Sequence, residues 1–356
     1  MNLNSKDSLT IETLKEKIPI LLEKSDAEGL SISLIRDAKI IWEGGFGFKN
    51  KVEKTLITPE TIFEVASLSK PVVAYLALKA VEEGVLDLDK SLTEYFSKPY
   101  LENEPSLKQI TARHVLTHTT GFPNWGEVRG SPKIFFTPGE RFSYSGEGFM
   151  YLQKTLETIY GKSLEVLSQE KLFRPMGLEN VSFIWRNDIE KLSATGYLKD
   201  GTIRKWKPLE ASAAGSLHMS ATNYAHFVLS LIDPKTDIKY QLSQKSLNDM
   251  FKPWIPVNDK GLSNNHNIPL SGISESDVVF WGLGWGLEKV GEDFNIWHWG
   301  NNSSFHNLIF VNLKTKSGFV LMSNSEKTPL IWNELMEIIF EGEHPGFDWL
   351  MSFYWD

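Results

Sequence analysis

The sequence predicts an α+β fold, in which an antiparallel sheet flanked by helices carries a mostly helical part. Three observations predict it. A β-hairpin pattern lies near the N-terminus, and several further strand patterns follow Gly282. Between them, residues 70–250 show mostly helical patterns separated by loops. We therefore expect the first and last segments to share one sheet, with the middle of the chain forming a helical subdomain over it.

The N-terminal segment predicts a helix, a hairpin and a short strand. The helix lies near residues 9–25, and the hairpin spans 30–45 with its turn at 36–39. An apolar run at 61–66 indicates a strand or its exit. A helix follows over 70–84, with Pro71 in its first turn and a glycine at its end. Its apolar positions fall on one face at the helical period: Val72, Val73, Leu76, Ala80 and Val81.

The C-terminal part predicts four strands, a helix and an aromatic tail. The strand patterns are at 284–290, 295–299, 307–312 and 318–324, and the helix is at 330–340. We expect the tail, 341–356, to pack on the surface rather than to mediate binding. These patterns favour a single domain over residues 1–356, with an α/β subdomain at about 1–66 and 275–356 and a helical subdomain at about 67–274.

Ser67 and Lys70 stand where the strand pattern turns into the helix, and they are the strongest catalytic candidates. Three residues is close to one helical turn, so both side chains project from the same side. Free N–H groups at a helix start favour a developing anion, and a buried lysine loses its proton easily. The same spacing recurs at 168–171, in a polar segment that indicates a solvated helix face.

Two later motifs give the pair a context. Tyr144-Ser-Gly146 lies in a turn that leads into an amphipathic helix, and His298-Trp-Gly300 lies on a predicted strand. Ser-x-x-Lys, a tyrosine motif and a basic residue-x-Gly, in that order, resemble the serine β-lactamase and penicillin-binding-protein superfamily. The branch of class C β-lactamases, D-alanyl-D-alanine peptidases and carboxylesterases is the most similar. Further likeness at 111–122, 213–227 and 282–286 extends the resemblance to about residues 28–328.

The resemblance implies a fold of the β-lactamase/transpeptidase type, with the active site at the seam of the two subdomains. Ser67 would be the acyl-accepting nucleophile and Lys70 would take or relay its proton. Tyr144 would be the second partner of the base, with a pKa lowered by the nearby ammonium. The backbone N–H groups of Ser67 and Asn301 would form the oxyanion hole.

The same resemblance implies which groups meet the substrate. His298 would replace the usual lysine of the third motif. Gly300 would let the substrate lie along the strand, with Gly146 and Trp299 beside it. Plainer interpretations remain: Tyr144 as a buried aromatic, and His298 as an ordinary strand histidine. Strand alternation places His298 on the face opposite its two tryptophan neighbours, which favours a position in the cleft.

Two departures from the family pattern bear on the substrate. Gly146 stands where the family has an asparagine that contacts the lysine and the substrate amide. His298 is largely neutral at pH 7 unless its pKa is shifted, whereas lysine is a permanent cation. Both changes weaken recognition of an amide-plus-carboxylate ligand and are compatible with ester hydrolysis. Glu147 could reach the site, although a carboxylate at a helix start is more often a dipole partner.

Composition indicates an ordinary globular protein. The 356 residues are 41% hydrophobic and 23% charged, and the net charge of −8 disfavours nucleic acid or an anionic membrane as a partner. The absence of cysteine excludes disulfides and thiol catalysis. The polar N-terminus, with no signal-peptide core or membrane span, predicts a cytoplasmic protein. We expect no cofactor and no metal: His114 and His118 are four apart, but no third ligand accompanies them.

The sequence therefore predicts a serine hydrolase that acts through an acyl-enzyme on Ser67, on a small-molecule ester or small amide. A β-lactamase or D-amino-acid peptidase is the alternative. A catalytically silent relative that binds acylated or peptidic ligands is a third possibility. Ser67, Lys70 and Tyr144 argue against it, because a silent protein has no reason to keep all three.

Overall fold

The two ends of the chain meet in one antiparallel sheet. The computed structural model describes residues 3–97, 99–102, 104–125, 133–234, 240–258, 275–352 and 354. In chain order the strands are β1 (Gly29–Arg36), β2 (Lys39–Asn50), β3 (Thr55–Leu56), β4 (Phe63–Glu64), β5 (Gly196–Tyr197), β6 (Ile203–Arg204), β7 (His218–Met219), β8 (Ile255–Asn258), β9 (Glu275–Trp281), β10 (Gly286–Val290), β11 (Asp293–Asn301), β12 (His306–Asn312) and β13 (Ser317–Ser323). Nine of them form one sheet in the order β3-β2-β1-β13-β12-β11-β10-β9-β8. The α+β class is therefore confirmed.

The hairpin of β1 and β2 turns where the sequence predicts. Asp37 and Ala38 adopt positive φ angles of 48° and 56°, the conformation that a tight turn between twisted strands requires. β1 then pairs with β13 along its other edge, with Leu34 opposite Phe319. This pairing brings residues far apart in the sequence into one sheet, as the matching apolar patterns predicted.

Helices cover both faces of the sheet. In chain order they are α1 (Ser5–Ser25), α2 (Ser69–Glu82), α3 (Ala112–Leu116), α4 (Gly146–Tyr160), α5 (Leu164–Ser168), α6 (Ala221–Ile232), α7 (Gln244–Met250), α8 (Trp332–Ile339) and α9 (Pro345–Met351). One apolar core joins α2, α4 and α6 to the sheet. A second core lies on the opposite face, beneath α1, α8 and α9. The first core is where the helical part meets the sheet, and the turn that leads into α2 contacts β11.

Two features differ from the sequence prediction. The sheet continues past β10 into β9 and β8, although β8 falls in the stretch assigned to the helical subdomain. β8 is an edge strand that carries Pro256. A proline within a run of residues argues against a strand, so the sequence pattern did not indicate this one. The tail does more than coat the surface, because α9 buries Phe347 and Trp349 in the second core.

Candidate active site

Ser67 lies in a one-turn 3₁₀ helix, Ala66–Leu68, that leads directly into α2. Ala66 has a φ of 52°, an uncommon value for a residue with a side chain, so the turn is held by its surroundings. The Ser69 hydroxyl donates to the Ala66 carbonyl at 2.7 Å and accepts from the Leu217 N–H at 3.1 Å. The Tyr224 hydroxyl donates to the carbonyl of Leu68 at 2.7 Å. These bonds fix the backbone that presents the partly exposed Ser67 side chain.

Lys70 is fully buried, and its ammonium nitrogen lies 3.0 Å from the Ser67 hydroxyl oxygen. The same nitrogen donates to the Ala214 carbonyl at 2.7 Å. Among the described residues no carboxylate forms an ion pair with it. Burial therefore lowers the pKa of Lys70 to about 7. A large share of the molecules then carry a neutral amine at neutral pH, able to accept the Ser67 proton.

Tyr144 completes the cluster around Ser67. Its hydroxyl lies beside the Ser67 side chain, and the Lys70 nitrogen lies 4.9 Å from its ring centroid. The ring stacks on His118 at 4.2 Å. Burial raises the pKa of the Tyr144 phenol, so the expectation of a lowered pKa is wrong. The sequence-based expectation did not include desolvation, which raises the pKa of the phenol. This effect outweighs the opposite effect of Lys70, which is itself partly neutral. Of the two candidate bases, Lys70 is the one that titrates near neutral pH.

His298 is buried on β11, with its ring 6.2 Å from that of Tyr144. Its Nδ1 lies 2.8 Å from the Trp299 carbonyl, so Nδ1–H donates and Nε2 is left as an acceptor. Burial, and then the charge of Lys70, lower the pKa of His298 to about 3. The imidazole is therefore neutral throughout the physiological range. His298 cannot serve as the cation that the usual lysine provides.

Trp297 and Trp299 lie on the other face of β11, stacked on each other at 6.0 Å in the second core. Trp299 also packs against Tyr144, with ring centroids 4.9 Å apart. It is only 6% exposed, so it supports Tyr144 and offers little surface to a substrate. The tryptophans at 281 and 285 are likewise fully buried and are core residues.

The end of β11 approaches the nucleophile turn closely. A Cβ at Gly300 would lie 2.1 Å from the Val65 carbonyl oxygen, so only glycine allows this approach. The Asn307 side-chain amide donates to the Glu64 carbonyl at 3.0 Å and ties β12 to the same turn. Asn301 follows Gly300 at the end of the strand. Its N–H and that of Ser67 are thereby placed in one region of the fold.

The chain is similar to known proteins over most of its length. A family model described as Beta-lactamase matches residues 14–335. The chain belongs to the Beta-lactamase family. The serine β-lactamase and penicillin-binding-protein resemblance inferred from the motifs is thereby confirmed.

Curated relatives of this family member are distant. "Protein flp" of Staphylococcus aureus (strain MRSA252) is 24% identical over 334 residues, which is 88% of this chain and 63% of the relative. "Putative penicillin-binding protein PbpX" of Bacillus subtilis (strain 168) is 25% identical over 268 residues, covering 70% of this chain and 65% of the relative. The chain spans less than two thirds of the length of each of these relatives.

Solved structures share its fold. The octameric penicillin-binding protein homologue from Pyrococcus abyssi aligns with a TM-score of 0.75 at 23% identity, over 92% of this chain and 77% of that one. D-alanine carboxypeptidase AmpC from Burkholderia cenocepacia gives 0.75 at 18% identity, over 94% and 99% of the two chains. A class C β-lactamase mutant gives 0.77 at 18% identity, with the same coverage. These likenesses establish the β-lactamase/transpeptidase fold.

Asn124 is a site residue that sequence reasoning missed. Its side-chain oxygen accepts from the Gly146 N–H at 3.0 Å, and its carbonyl accepts from the Glu147 N–H at 3.1 Å. Asn124 thus holds the start of α4, next to Tyr144. The contact joins two loops 22 residues apart, and no local pattern marks it. Glu147 itself accepts a hydrogen bond from Tyr100, so it is engaged away from the Ser67 pair.

Gly146 stands where other members of the Beta-lactamase family have an asparagine, and the structure gives a reason for the glycine. A Cβ there would lie 2.7 Å from the Asn124 carbonyl oxygen and 3.4 Å from the Ala214 Cβ. Gly146→Asn and Gly146→Ala should therefore both lower the free energy of unfolding, by about 1–3 kcal/mol, because both push the same Cβ against backbone. Urea titration measures the loss, with Ala as the matched control that lacks an amide. A Gly146→Asn protein as stable as the unmodified chain, with new cephalosporin turnover, would contradict this account.

The described part of the chain has neither a cluster of metal-binding side chains nor a helix that could span a membrane. No group of three histidine, cysteine, aspartate or glutamate side chains there could hold a metal ion. His118 accepts from the Ser145 N–H at 3.0 Å, and His114 bonds the Gln109 carbonyl at 3.0 Å. His118 therefore supports the backbone next to Tyr144, and His114 supports the segment before α3. Within the same ranges no helix is both long and apolar enough to cross a bilayer.

Proposed function

We propose that this member of a family of serine hydrolases cleaves an uncharged ester or small amide through an acyl-enzyme on Ser67. The observation that carries the proposal is the buried Lys70 amine, 3.0 Å from the Ser67 hydroxyl. A lysine with a pKa lowered by burial is a base poised for neutral pH. A binding protein without activity has no use for such a group, since keeping it buried lowers the stability of the fold.

Acylation follows from the arrangement of these groups. Neutral Lys70 takes the Ser67 proton as the hydroxyl oxygen attacks the substrate carbonyl carbon. The carbonyl π electrons move onto oxygen, where the Ser67 and Asn301 N–H groups donate hydrogen bonds. When the intermediate collapses, the bond to the leaving group breaks. That group takes a proton from Lys70, directly or through the Tyr144 hydroxyl.

Deacylation repeats the sequence with water in place of Ser67. The amine, neutral again, takes a proton from the water, whose oxygen attacks the acyl carbon. Collapse of the second intermediate breaks the bond to the Ser67 oxygen, which regains its proton. The protonated phenol of Tyr144 suits a relay, because it can donate to one oxygen while it accepts from another.

The neutral state of His298 supports an uncharged substrate. With a pKa of about 3, the imidazole offers a carboxylate no positive charge at physiological pH. A β-lactam or a D-alanyl-D-alanine stem carries a carboxylate that would go without a charged partner from this motif. β-Lactamase or D-peptidase activity is therefore the alternative, and a panel of substrates distinguishes it from ester hydrolysis.

A substrate panel tests the proposal. The purified protein should cleave a short-chain p-nitrophenyl ester with a kcat/KM at least about 10–150-fold above that for a chromogenic cephalosporin or a D-amino-acid anilide. This is the value of one charge-assisted hydrogen bond. The ratio should stay constant between about pH 5 and 8, because His298 does not titrate there. Ser67→Ala supplies the background of spontaneous hydrolysis. Efficient cephalosporin turnover without ester cleavage would overturn the esterase assignment in favour of a β-lactamase.

A further inference from the structure

Asn302 directly follows Asn301, where β11 ends, and its half-buried side chain bonds two other parts of the site. The side-chain nitrogen of Asn302 lies 3.3 Å from the Gly215 carbonyl oxygen and 3.5 Å from a Glu64 carboxylate oxygen. Both neighbours are acceptors, and the asparagine amide has two N–H donors, so each N–H has one partner. Asn302 therefore ties the end of β11 to two further segments.

The segment at Gly215 is the one that holds the base. Gly215 follows Ala214, whose carbonyl accepts from the Lys70 nitrogen at 2.7 Å. A Cβ on Gly215 would lie 3.7 Å from the Ala66 carbonyl carbon and 3.7 Å from the Asn302 side-chain oxygen. Gly215 is therefore packed between Asn302 and the nucleophile turn, and the Asn302 amide reaches across to this segment.

Glu64 is the second acceptor, and it is itself held in place. It stands three residues before Ser67 in the sequence and is only 3% exposed. Its other carboxylate oxygen accepts from the Trp206 N–H at 3.0 Å, and its backbone carbonyl accepts from the Asn307 side-chain amide at 3.0 Å. Asn302 thus bonds a fixed group on the strand that leads to the nucleophile.

The backbone of Asn302 is fixed as well. Its N–H donates to the Phe305 carbonyl at 3.1 Å, and its carbonyl accepts from the Ser304 N–H at 2.8 Å and from the Arg204 guanidinium at 2.9 Å. Ser303 has a φ of 63°, and a turn with such a residue keeps its shape only where contacts hold it. These bonds hold the turn that directly follows the expected oxyanion donor.

We propose that Asn302 is a positioning residue, whose side chain holds the Asn301 N–H in register with Ser67 and Lys70. The inference rests on the proposed function, since it assigns the Asn301 N–H to the developing oxyanion. A donor to an oxyanion acts only in the correct geometry. The peptide that carries this N–H is one residue away from Asn302, so a displacement of Asn302 moves the donor relative to the nucleophile.

Asn302→Ala tests the proposal, because it removes both N–H donors and leaves the backbone. We expect kcat for a p-nitrophenyl ester to fall about 5–100-fold with KM unchanged, the effect of two hydrogen bonds whose loss is felt in the transition state. The affinity for phenylboronic acid should fall by a similar factor. In that complex the Ser67 oxygen bonds to boron, its proton passes to Lys70, and a boron-bound hydroxyl occupies the oxyanion position.

Asn312→Ala is the matched control, because it breaks an equivalent bond at the opposite end of β11. The Asn312 side-chain amide donates to the Asn295 side-chain oxygen at 2.8 Å. This variant also loses a hydrogen bond between strands, yet it should keep kcat and the affinity for the boronic acid.

Asn302→Asp is a second variant that keeps the size of the side chain, so it tests the proposal even where Asn302→Ala does not fold. Its carboxylate has no N–H to donate to Gly215 or Glu64. The losses in kcat and in boronic acid affinity should therefore be at least as large as those of Asn302→Ala.

The outcomes separate the two proposals. Equal kcat and equal boronic acid affinity in the Asn302 variants and the unmodified protein, with binding abolished by Ser67→Ala, would overturn the positioning role and leave the serine chemistry intact. The same losses in Asn312→Ala would overturn it as well, because any loosening of β11 would then suffice. An unmodified protein that neither binds the boronic acid nor cleaves esters would overturn the proposed function, and the positioning role with it.

Discussion

Ser67→Ala should lower ester hydrolysis by at least about 10⁴-fold, because no acyl-enzyme can form without the hydroxyl. Covalent labelling by a fluorophosphonate should disappear in the same variant, since the reagent adds to an activated serine oxygen. The local reason is the pairing with Lys70 at 3.0 Å in a turn held by its neighbours. Peptide mass mapping of the labelled protein locates the adduct.

Ser168→Ala is the matched control. Ser168 opens the second Ser-x-x-Lys sequence, but its hydroxyl donates to the Leu164 carbonyl at 2.7 Å within α5. The sequence expectation that this segment is a solvated helix face is wrong for Ser168, which is fully buried. A serine that bonds its own helix backbone has no activating base, so this variant should keep its labelling and activity. Labelling that persists in Ser67→Ala would remove Ser67 from the mechanism.

Lys70→Met should lower kcat by about 10²–10⁴, the range of a general base. In the unmodified protein kcat should rise with pH through about 7, as the amine loses its proton and becomes able to accept another. The residual activity of Lys70→Met should lack this rise. Tyr144→Phe should lower kcat by a similar factor yet keep the rise, because the raised pKa of the phenol keeps it protonated. A pH–rate profile unchanged in Lys70→Met would exclude Lys70 as the base.

Lys70→Met should also change the free energy of unfolding in a pH-dependent way. The pKa of Lys70 is lowered from 10.5 in a free side chain to about 7 in the fold. As pH falls from the first value to the second, the unfolded chain takes up a proton that the folded protein refuses, so folding loses stability. Lys70→Met avoids this loss. The free energy of unfolding of Lys70→Met should therefore exceed that of the unmodified protein by a few kcal/mol below about pH 7. This difference should vanish above about pH 10.5.

Urea titrations at acidic and alkaline pH measure this gain. Lys154→Met is the control for the loss of a lysine side chain, because it removes an exposed lysine from α4. The same gain at both pH values would mean that packing, and not the proton, is responsible.

The sequence alone determined the parts of the protein that depend on local patterns. The hairpin turn at Asp37 and Ala38, the strands around His298 and the helix behind Ser67 each follow from the period of their apolar residues. The order of the three motifs then determined the family, and the turn from a strand into a helix marked Ser67 and Lys70 as a pair. These features are visible because neighbours in the chain create them.

Only the tertiary structure decided the charge states and the supporting contacts of the site. Burial raises the pKa of Tyr144, against what its motif suggests, and lowers the pKa of His298, which keeps the ring neutral. The contact of Asn124 with Gly146 joins segments that share no local pattern. Desolvation and packing depend on everything that surrounds a group in space. A pattern in the sequence reports only on residues within a few positions, so it cannot contain them.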